Sequence, residues 1–247
     1  MISDSPANET VALRLGTDLR PAVGLFMKRT PSAELLDSDA GTPAEVAASL
    51  ADLWRINRWF GGTGTTLRMV EEVARSTGKT SLSLLEVAAG SGEVPATSRQ
   101  RLAERGVHVE VTLLDRSRAH VGNGGRSVVG DALALPFGDN SFDLVSCCLF
   151  AHHLSPPQLA RFANDALRVC RRALLINDLI RHPLHLALVY AGSPLYRSRL
   201  TRHDAPASVR QAYTVAEMMD ILAETAATRV EIGRHYLFRM GAIAWKV

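Results

Sequence analysis

Hydrophobic and polar positions change period along this chain. Between residues 83 and 177, short apolar runs alternate with segments of helical spacing. The runs predict strands over 83–88, 108–114, 126–130, 143–149 and 172–177. The intervening segments predict helices over 94–105 and 156–170, with a short one near 117–122 stunted by Gly122, Gly124 and Gly125. Such alternation gives a parallel sheet covered by helices on both faces. Ahead of it, Val46, Leu50, Leu53, Trp54, Ile56 and Phe60 recur at helical spacing and predict a helix from Ala44 to Phe60. Thr42-Pro43 opens that helix as N-cap and first-turn proline, and Gly61-Gly62 closes it. A second helix follows over 65–76, ending at Gly78. After Asp178 the alternation stops. Residues 183–199 read as helical and 200–212 as a polar loop. Residues 214–226 read as a helix, with Thr214 and Glu217 placed for a capping box. Residues 229–238 and 240–246 read as two strands around Arg239. Residues 1–40 carry Gly, Pro, Ser and Asp without periodicity, which predicts a flexible segment, partly disordered or wrapped on the surface.

Composition narrows the class. The chain has 247 residues, 47% hydrophobic and 21% charged, as in one large soluble domain. A net charge of +3, with lysine only at 28, 79 and 246, gives no basic patch for nucleic acid. Cys147 and Cys148 are neighbours in a predicted strand and point to opposite faces; with Cys170 they offer neither metal-ligand spacing nor a disulfide framework. Free thiols fit a reducing, cytoplasmic setting. The first residues, Met1 to Asp4, lack the basic and apolar regions of a secretory leader. The longest apolar run, Leu184 to Gly192, falls far short of the roughly 20 residues that span a bilayer.

The chemistry concentrates at strand ends. Leu84-Leu85-Glu86-Val87-Ala88-Ala89-Gly90-Ser91-Gly92 is an apolar run, an acid and a glycine-rich turn ahead of a helix. Such a turn brings backbone N–H groups close to a ligand. Glu86 stands at the carboxyl end of the strand, where open parallel sheets bind. Asp115, 25 residues after Gly90, ends the second strand and is followed by Arg116. A carboxylate there can accept from both vicinal hydroxyls of a ribose. Val128 to Phe137 reads as a third strand and an acidic turn, in which Asp131, next to Ala132, can accept from an adenine amino group. Ser141 to Phe150 reads as a fourth strand, with Leu149 near its end, leading into Ala151-His152-His153-Leu154. A dinucleotide fingerprint requires a third glycine where Glu93 stands, and Pro95 occupies the first helical turn. The spacing therefore suits a nucleoside cofactor without a pyrophosphate better than NAD.

These segments together resemble the class I S-adenosylmethionine-dependent methyltransferases of the ubiquinone/menaquinone group (methyltransferase type 11/12). The resemblance spans about Leu82 to Asp178, and the run Leu135-Pro136-Phe137-Gly138-Asp139-Asn140-Ser141-Phe142-Asp143 is particularly specific to it. It implies an α/β, Rossmann-like fold: a seven-stranded, mostly parallel sheet with helices on both faces, closed by a C-terminal antiparallel strand pair. The methyltransferase domain would cover 81–247, with 179–213 as a substrate-cap insertion. S-adenosyl-L-methionine would lie against Glu86, Ala88, Ala89, Gly90, Ser91, Gly92, Asp115, Arg116, Asp131, Ala132 and Leu149, leaving S-adenosyl-L-homocysteine as product. One departure is Ala88, where the family has the first glycine of the loop; a turn that avoids positive φ is expected there.

Methyl transfer from a sulfonium is an in-line displacement, so positioning carries much of the catalysis. A phenol titrates near ~10, so a histidine base helps at neutral pH. The candidates are His152 and His153, just past the fourth strand, and His203 in the polar stretch Ser198 to Pro206. Each has a structural alternative: packing or capping for the first two, Arg–Asp pairing in a loop for the third. With Asn177 to His182, that stretch is expected to form one polar cluster above the sheet, and Arg202 or Arg210 could hold an anionic group. It resembles a subfamily of bacterial small-molecule methyltransferases, which implies tailoring of polyketide or lipid-like phenols. No metal is expected: catechol-type enzymes add a strand-end aspartate to a pair like Asn177-Asp178, and here that end carries Cys147 to Phe150. The helix bearing Trp54, Arg55, Asn57, Arg58, Trp59 and Phe60 either packs simply or, with the rest of 41–80, forms a lid. The expected activity is O-methylation of a hydroxylated aromatic or polyketide-like acceptor by a monomer or homodimer. C-methylation of a quinol ring is the alternative. An RNA or protein methyltransferase lacks support in charge and modules, and a binding-only protein remains a rival.

Overall fold

The structure, a computed structural model, describes residues 27–38, 40–117 and 126–247. The chain enters through two helices, α1 (Pro43–Trp59) and α2 (Gly62–Thr77). The expected cap of α1 is present: Thr42 accepts from the Glu45 N–H, and Glu45 accepts in return from the Thr42 N–H at 2.8 Å. Alternation then gives β1 (Ser81–Val87), α3 (Glu93–Ala103), β2 (His108–Asp115), β3 (Arg126–Val129), β4 (Phe142–Cys148), α4 (Pro156–Val169) and β5 (Cys170–Leu179). The C-terminal part adds α5 (Pro183–Gly192), α6 (Arg199–Gln211), α7 (Val215–Ala223), β6 (Arg229–Arg234) and β7 (Arg239–Trp245). The helix expected near 117–122 lies, apart from Ser117, outside the described residues.

Among the described residues, seven strands form one sheet in the order β3-β2-β1-β4-β5-β7-β6. All neighbours are parallel except β7, which runs antiparallel to both β5 and β6. The strand order reverses between β1 and β4, so the carboxyl ends of these two strands flank the crevice where open α/β sheets bind ligands. Successive residues of each central strand feed opposite cores. Leu84, Leu144 and Leu175 pack under α2 with Val70 and Val73. Leu85, Val145 and Leu174 pack under α4 and α7 with Phe162 and Met218. Both faces are dry, which is why these strands read as unbroken apolar runs rather than alternating ones.

The structure corrects two sequence expectations beyond β5. Residues 183–199 are not one helix: α5 stops at Gly192, and Pro194 sits in a short 3-10 turn over Ser193–Leu195. Residues 200–212 are not a loop but α6. Pro206 inside it removes a backbone donor, which argued for a loop. Tertiary contacts outweigh that loss. Buried Asp52 of α1 accepts from the N–H groups of Arg197 and Ser198 at 2.8 and 2.9 Å, and Leu200 and Val209 are fully buried. Arg239 is not the turn between the last strands; it is the buried first residue of β7.

The segment 27–38 lies along α6 and the end of β4. Arg29 donates to the carbonyls of His152, Leu154 and Gln211, and Asp204 of α6 accepts from the N–H groups of Leu35 and Leu36 at 2.8 and 3.0 Å. Asp204→Ala therefore leaves two backbone donors without acceptors, which costs about 1–3 kcal/mol each if water does not replace it. Limited proteolysis near residues 30–38, together with a denaturant midpoint, checks this. Faster cleavage and a lower midpoint are expected; unchanged values of both would contradict the anchoring role.

Candidate active site

The glycine-rich turn is shaped by backbone geometry. Ala88 has φ +53°, so the expectation that this position avoids the left-handed region is wrong. The turn is held by Ala89 N–H to the Leu114 carbonyl at 3.1 Å and Gly90 N–H to the Asp115 carboxylate at 2.9 Å. Those bonds outweigh the roughly 1–2 kcal/mol that a left-handed alanine costs. Gly92 at φ +72° has a second reason to be glycine: a Cβ there would lie 2.6 Å from Leu113 Cδ1. Leu149, just past β4, is also left-handed at φ +55°. Strained residues thus stand at the ends of both strands that flank the crevice, as at many ligand sites.

A cavity of about 780 Å³ opens above these ends, within the about 300–1,000 Å³ typical of small-molecule sites. Glu86, Ala88 to Ser91, Asp115, Arg116, Asp131, Ala132 and Leu149 line one side. Gly92 underpins the turn without lining it. Asp115 accepts from Gly90 and Ser117 N–H groups, Asp131 from Leu133 N–H, and Arg116 donates to the Asp37 carbonyl. The other side is formed by Leu50, Trp54 and Asn57 of α1, by Val189 and Tyr196, and by Glu34, His152 and His153.

His152 is 2% exposed, in the turn that follows β4 and beside the end of β5. Asp178, at the carboxyl end of that strand, accepts from His152 Nδ1 at 2.7 Å and from the His152 backbone N–H at 2.9 Å. The imidazole Nε2 thereby faces Glu34 Oε1 at 3.6 Å, and it makes no hydrogen bond. Burial opposes the imidazolium, but the Asp178 and Glu34 carboxylates outweigh it and hold the His152 pKa up at about 10. Glu34 is pulled down in turn: burial pushes its pKa up, and His152, His153 and Ser208 more than reverse that. His153 is less buried, with Nδ1 on Asp37 at 2.9 Å and Nε2 4.0 Å from Glu34 Oε2. Sequence spacing gave no metal ligands; the fold nevertheless groups Glu34, His152 and His153, with one ligand atom from each lying within 4.8 Å of the others. Glu34 was missed because it lies 118 positions from His152 in a stretch without periodicity.

His203 does not join this group. Its side chain is half exposed on α6 and pairs with the neighbouring Asp204, outside the cavity lining and without the Arg–Asp loop pairing expected as the alternative. Arg202 donates to the Tyr196 carbonyl and Arg210 to the Tyr190 hydroxyl, and neither lines the cavity. The single polar cluster expected above the sheet is divided. Asp178 serves His152, whereas Asn177 donates to the Gly62 carbonyl and Thr66 and accepts from Arg239.

The strand order and this crevice define a Rossmann-like α/β architecture with an antiparallel C-terminal closure. Residues 85–174 match the family model described as a methyltransferase domain. The ubiquinone/menaquinone biosynthesis C-methyltransferase UbiE of Roseobacter denitrificans is 32% identical over 100 residues, which are 36% of this chain and 38% of that protein. Magnesium protoporphyrin IX methyltransferase (ChlM) from Synechocystis PCC 6803, crystallised with bound SAH, superposes with a TM-score of 0.51 at 15% identity over 78% of this chain and 87% of that one. The CMeT domain of citrinin polyketide synthase gives 0.50 at 16% identity over 69% and 47%. The chain spans less than half the length of that C-methyltransferase, and the two solved structures share this chain's fold. Among the described residues, no helix is long and apolar enough to cross a membrane.

Glu86 provides a test of the site's electrostatics. It is 2% exposed, with the Ser146 hydroxyl as donor. Burial raises its pKa to about 7, and the Ser146 bond offsets only part of this. The folded state then binds a proton more tightly than the unfolded one, whose carboxyl titrates at 4.5. The stability this proton confers is full below pH 4.5 and lost as pH rises to about 7. At ~1.4 kcal/mol per pH unit the loss is about 3 kcal/mol. Glu86→Gln, which keeps the shape and stays neutral, is expected to flatten the fall in unfolding free energy between pH 5 and 7; an unaltered slope would show that Glu86 titrates normally.

Proposed function

We propose that this chain transfers a methyl group from S-adenosylmethionine to an oxygen of a small hydroxylated acceptor, aromatic or polyketide-like. The observation that carries the reading is the continuity of one cavity. It joins a rim formed by Glu86, the glycine-rich turn, Asp115 and Asp131 to a wall bearing two histidines and a carboxylate. The residues present suit the cofactor. The left-handed turn at Ala88 and Gly90 leaves the loop backbone open to a ligand, as a Cβ on Gly90 would meet nothing nearer than 4.0 Å. In this reading Asp115 accepts from the ribose hydroxyls, Asp131 accepts from the adenine amino group, and Glu86 faces the charged end of the cofactor, all three lining the cavity. When bound, the cofactor supplies an electrophilic methyl on a cationic sulfur.

The chain's own residues do the rest. Asp178 fixes the His152 ring, so Nε2 keeps its direction into the wall. Glu34 and His153 hold the acceptor hydroxyl and take its proton, with the His152 imidazolium positioning Glu34, and such proton removal contributes ~10²–10⁴-fold in comparable enzymes. Leu50, Leu53 and Trp54 of α1 cover the cavity and exclude water, so 41–80 acts as a lid and 179–213, through Val189, Tyr196, Ala205 and Val209, as the substrate cap. C-methylation of a quinol-like ring is the second reading, favoured by the C-methyltransferase among the relatives. It uses the same deprotonation.

S-adenosylmethionine carrying an isotopically labelled methyl, incubated with the protein and a lysate of its source, tests the reading by mass spectrometry. Label in an organic-soluble small molecule, released by ether cleavage, is the expected result; label resistant to it moves the assignment to carbon. Label in RNA or protein contradicts both. His153→Ala is expected to lower kcat by about 10²–10⁴-fold with S-adenosylhomocysteine affinity unchanged; full turnover would remove the histidine wall from the chemistry.

A further inference from the structure

Glu34, His152 and His153 have the geometry of a ligand set. A carboxylate oxygen and an imidazole nitrogen 3.6 Å apart, as between Glu34 and His152, exceed the ~2.7–3.2 Å of a hydrogen bond. Two ligands on one tetrahedral ion at bonds of about 2.0–2.2 Å stand about 3.3–3.6 Å apart. His152 Nε2 is fully buried, aimed at this point, and has no hydrogen-bond partner. A buried imidazole nitrogen left in that state needs an explanation. His153 Nε2 completes the set 4.0 Å from the other oxygen of Glu34, and one ligand atom from each of the three residues lies within 4.8 Å of the others.

The surroundings repeat what metal sites require. Each histidine offers Nε2 inward while a carboxylate holds its Nδ1: Asp178 at 2.7 Å for His152, Asp37 at 2.9 Å for His153. Such carboxylate–histidine pairs fix the tautomer and raise the basicity of a ligating ring. Glu34 is oriented as well, by the Ser208 hydroxyl at 2.6 Å and the Gln211 amide at 2.7 Å. Two imidazoles disfavour Mg²⁺ and Ca²⁺, which take oxygen ligands, and a His₂Glu set with an open position suits Zn²⁺ and its transition-metal neighbours.

We infer that Glu34, His152 and His153 bind one divalent transition-metal ion of the Zn²⁺ type in the wall of the cavity. The ion keeps a position open toward the cavity these residues line, where a hydroxyl oxygen can coordinate and lose its proton to water more readily, in place of direct proton removal by the ligating side chains. This second statement rests on the methyl-transfer reading; ion binding itself does not.

The test uses the full chain, stripped with a chelator and titrated with Zn²⁺ by competition against a chromophoric chelator. Metal content is read independently by plasma mass spectrometry. One equivalent of Zn²⁺ per chain is expected. Asp37→Ala, a surface change that leaves the ligands intact, should weaken binding about 10–100-fold. Glu34→Gln and His153→Ala should weaken it further, while His108→Ala, at the opposite end of the sheet, should not change it. Circular dichroism confirms that each variant is folded. No stoichiometric binding, or equal affinity in Glu34→Gln and His153→Ala, overturns the inference. S-adenosylhomocysteine titrated into the same samples separates the two readings: Zn²⁺ binding without nucleoside binding sinks only the methyl-transfer proposal, and the reverse sinks only the metal site.

Discussion

A carboxylate removed from water must be met by donors, and Asp178 is met from three sides. It accepts from the His152 ring, the His152 backbone and the Leu179 N–H. These bonds tie the carboxyl end of β5 to the 3-10 turn over Ala151–His153, and so fix where the chain goes after β4. They also give the imidazole its direction. Removing either partner would leave a buried charge uncompensated, typically a loss of about 3–5 kcal/mol. Glu34 from segment 27–38 then finds a ready cation, and the segment's Arg29 and the Asp204 side chain of α6 lock it in place. The outer wall of the cavity is therefore built by electrostatics and hydrogen bonds onto a sheet built by apolar packing.

The two kinds of construction serve different ends. The sheet with α2, α3, α4 and α7 is packed by apolar side chains on both faces, and that packing fixes the strand ends. By contrast, α1 meets α6 through polar pairs: Ser49 with Thr201 at 3.0 Å, and Asp52 with the amino end of α6. Polar contacts exchange with water at little net change in free energy.

The sequence disclosed the sheet because buried parallel strands leave apolar runs that no surface element imitates. The turn from Glu86 to Gly92, Asp115 and Asp131 were legible for the same reason: they sit at fixed offsets from those runs. Ala88 misled because propensity speaks against a left-handed alanine, whereas two tertiary hydrogen bonds impose it. Pro206 misled in the same sense, since its local cost is outweighed by burial of α6 around Leu200 and Val209. His203 looked catalytic from composition alone, and helical phase turned it outward. Glu34 was illegible for a different reason: its role depends on a long-range closure of 27–38 onto His152, and no local period encodes that contact.

The central claim is that one cavity presents a nucleoside-binding rim and an acceptor-binding wall to the same small space. A crystal structure with S-adenosylhomocysteine tests this most directly. The account predicts the ribose against Asp115, the adenine beside Asp131 and the sulfur facing Glu34, His152 and His153. A nucleoside bound elsewhere, or one whose sulfur turns away from that wall, would contradict it.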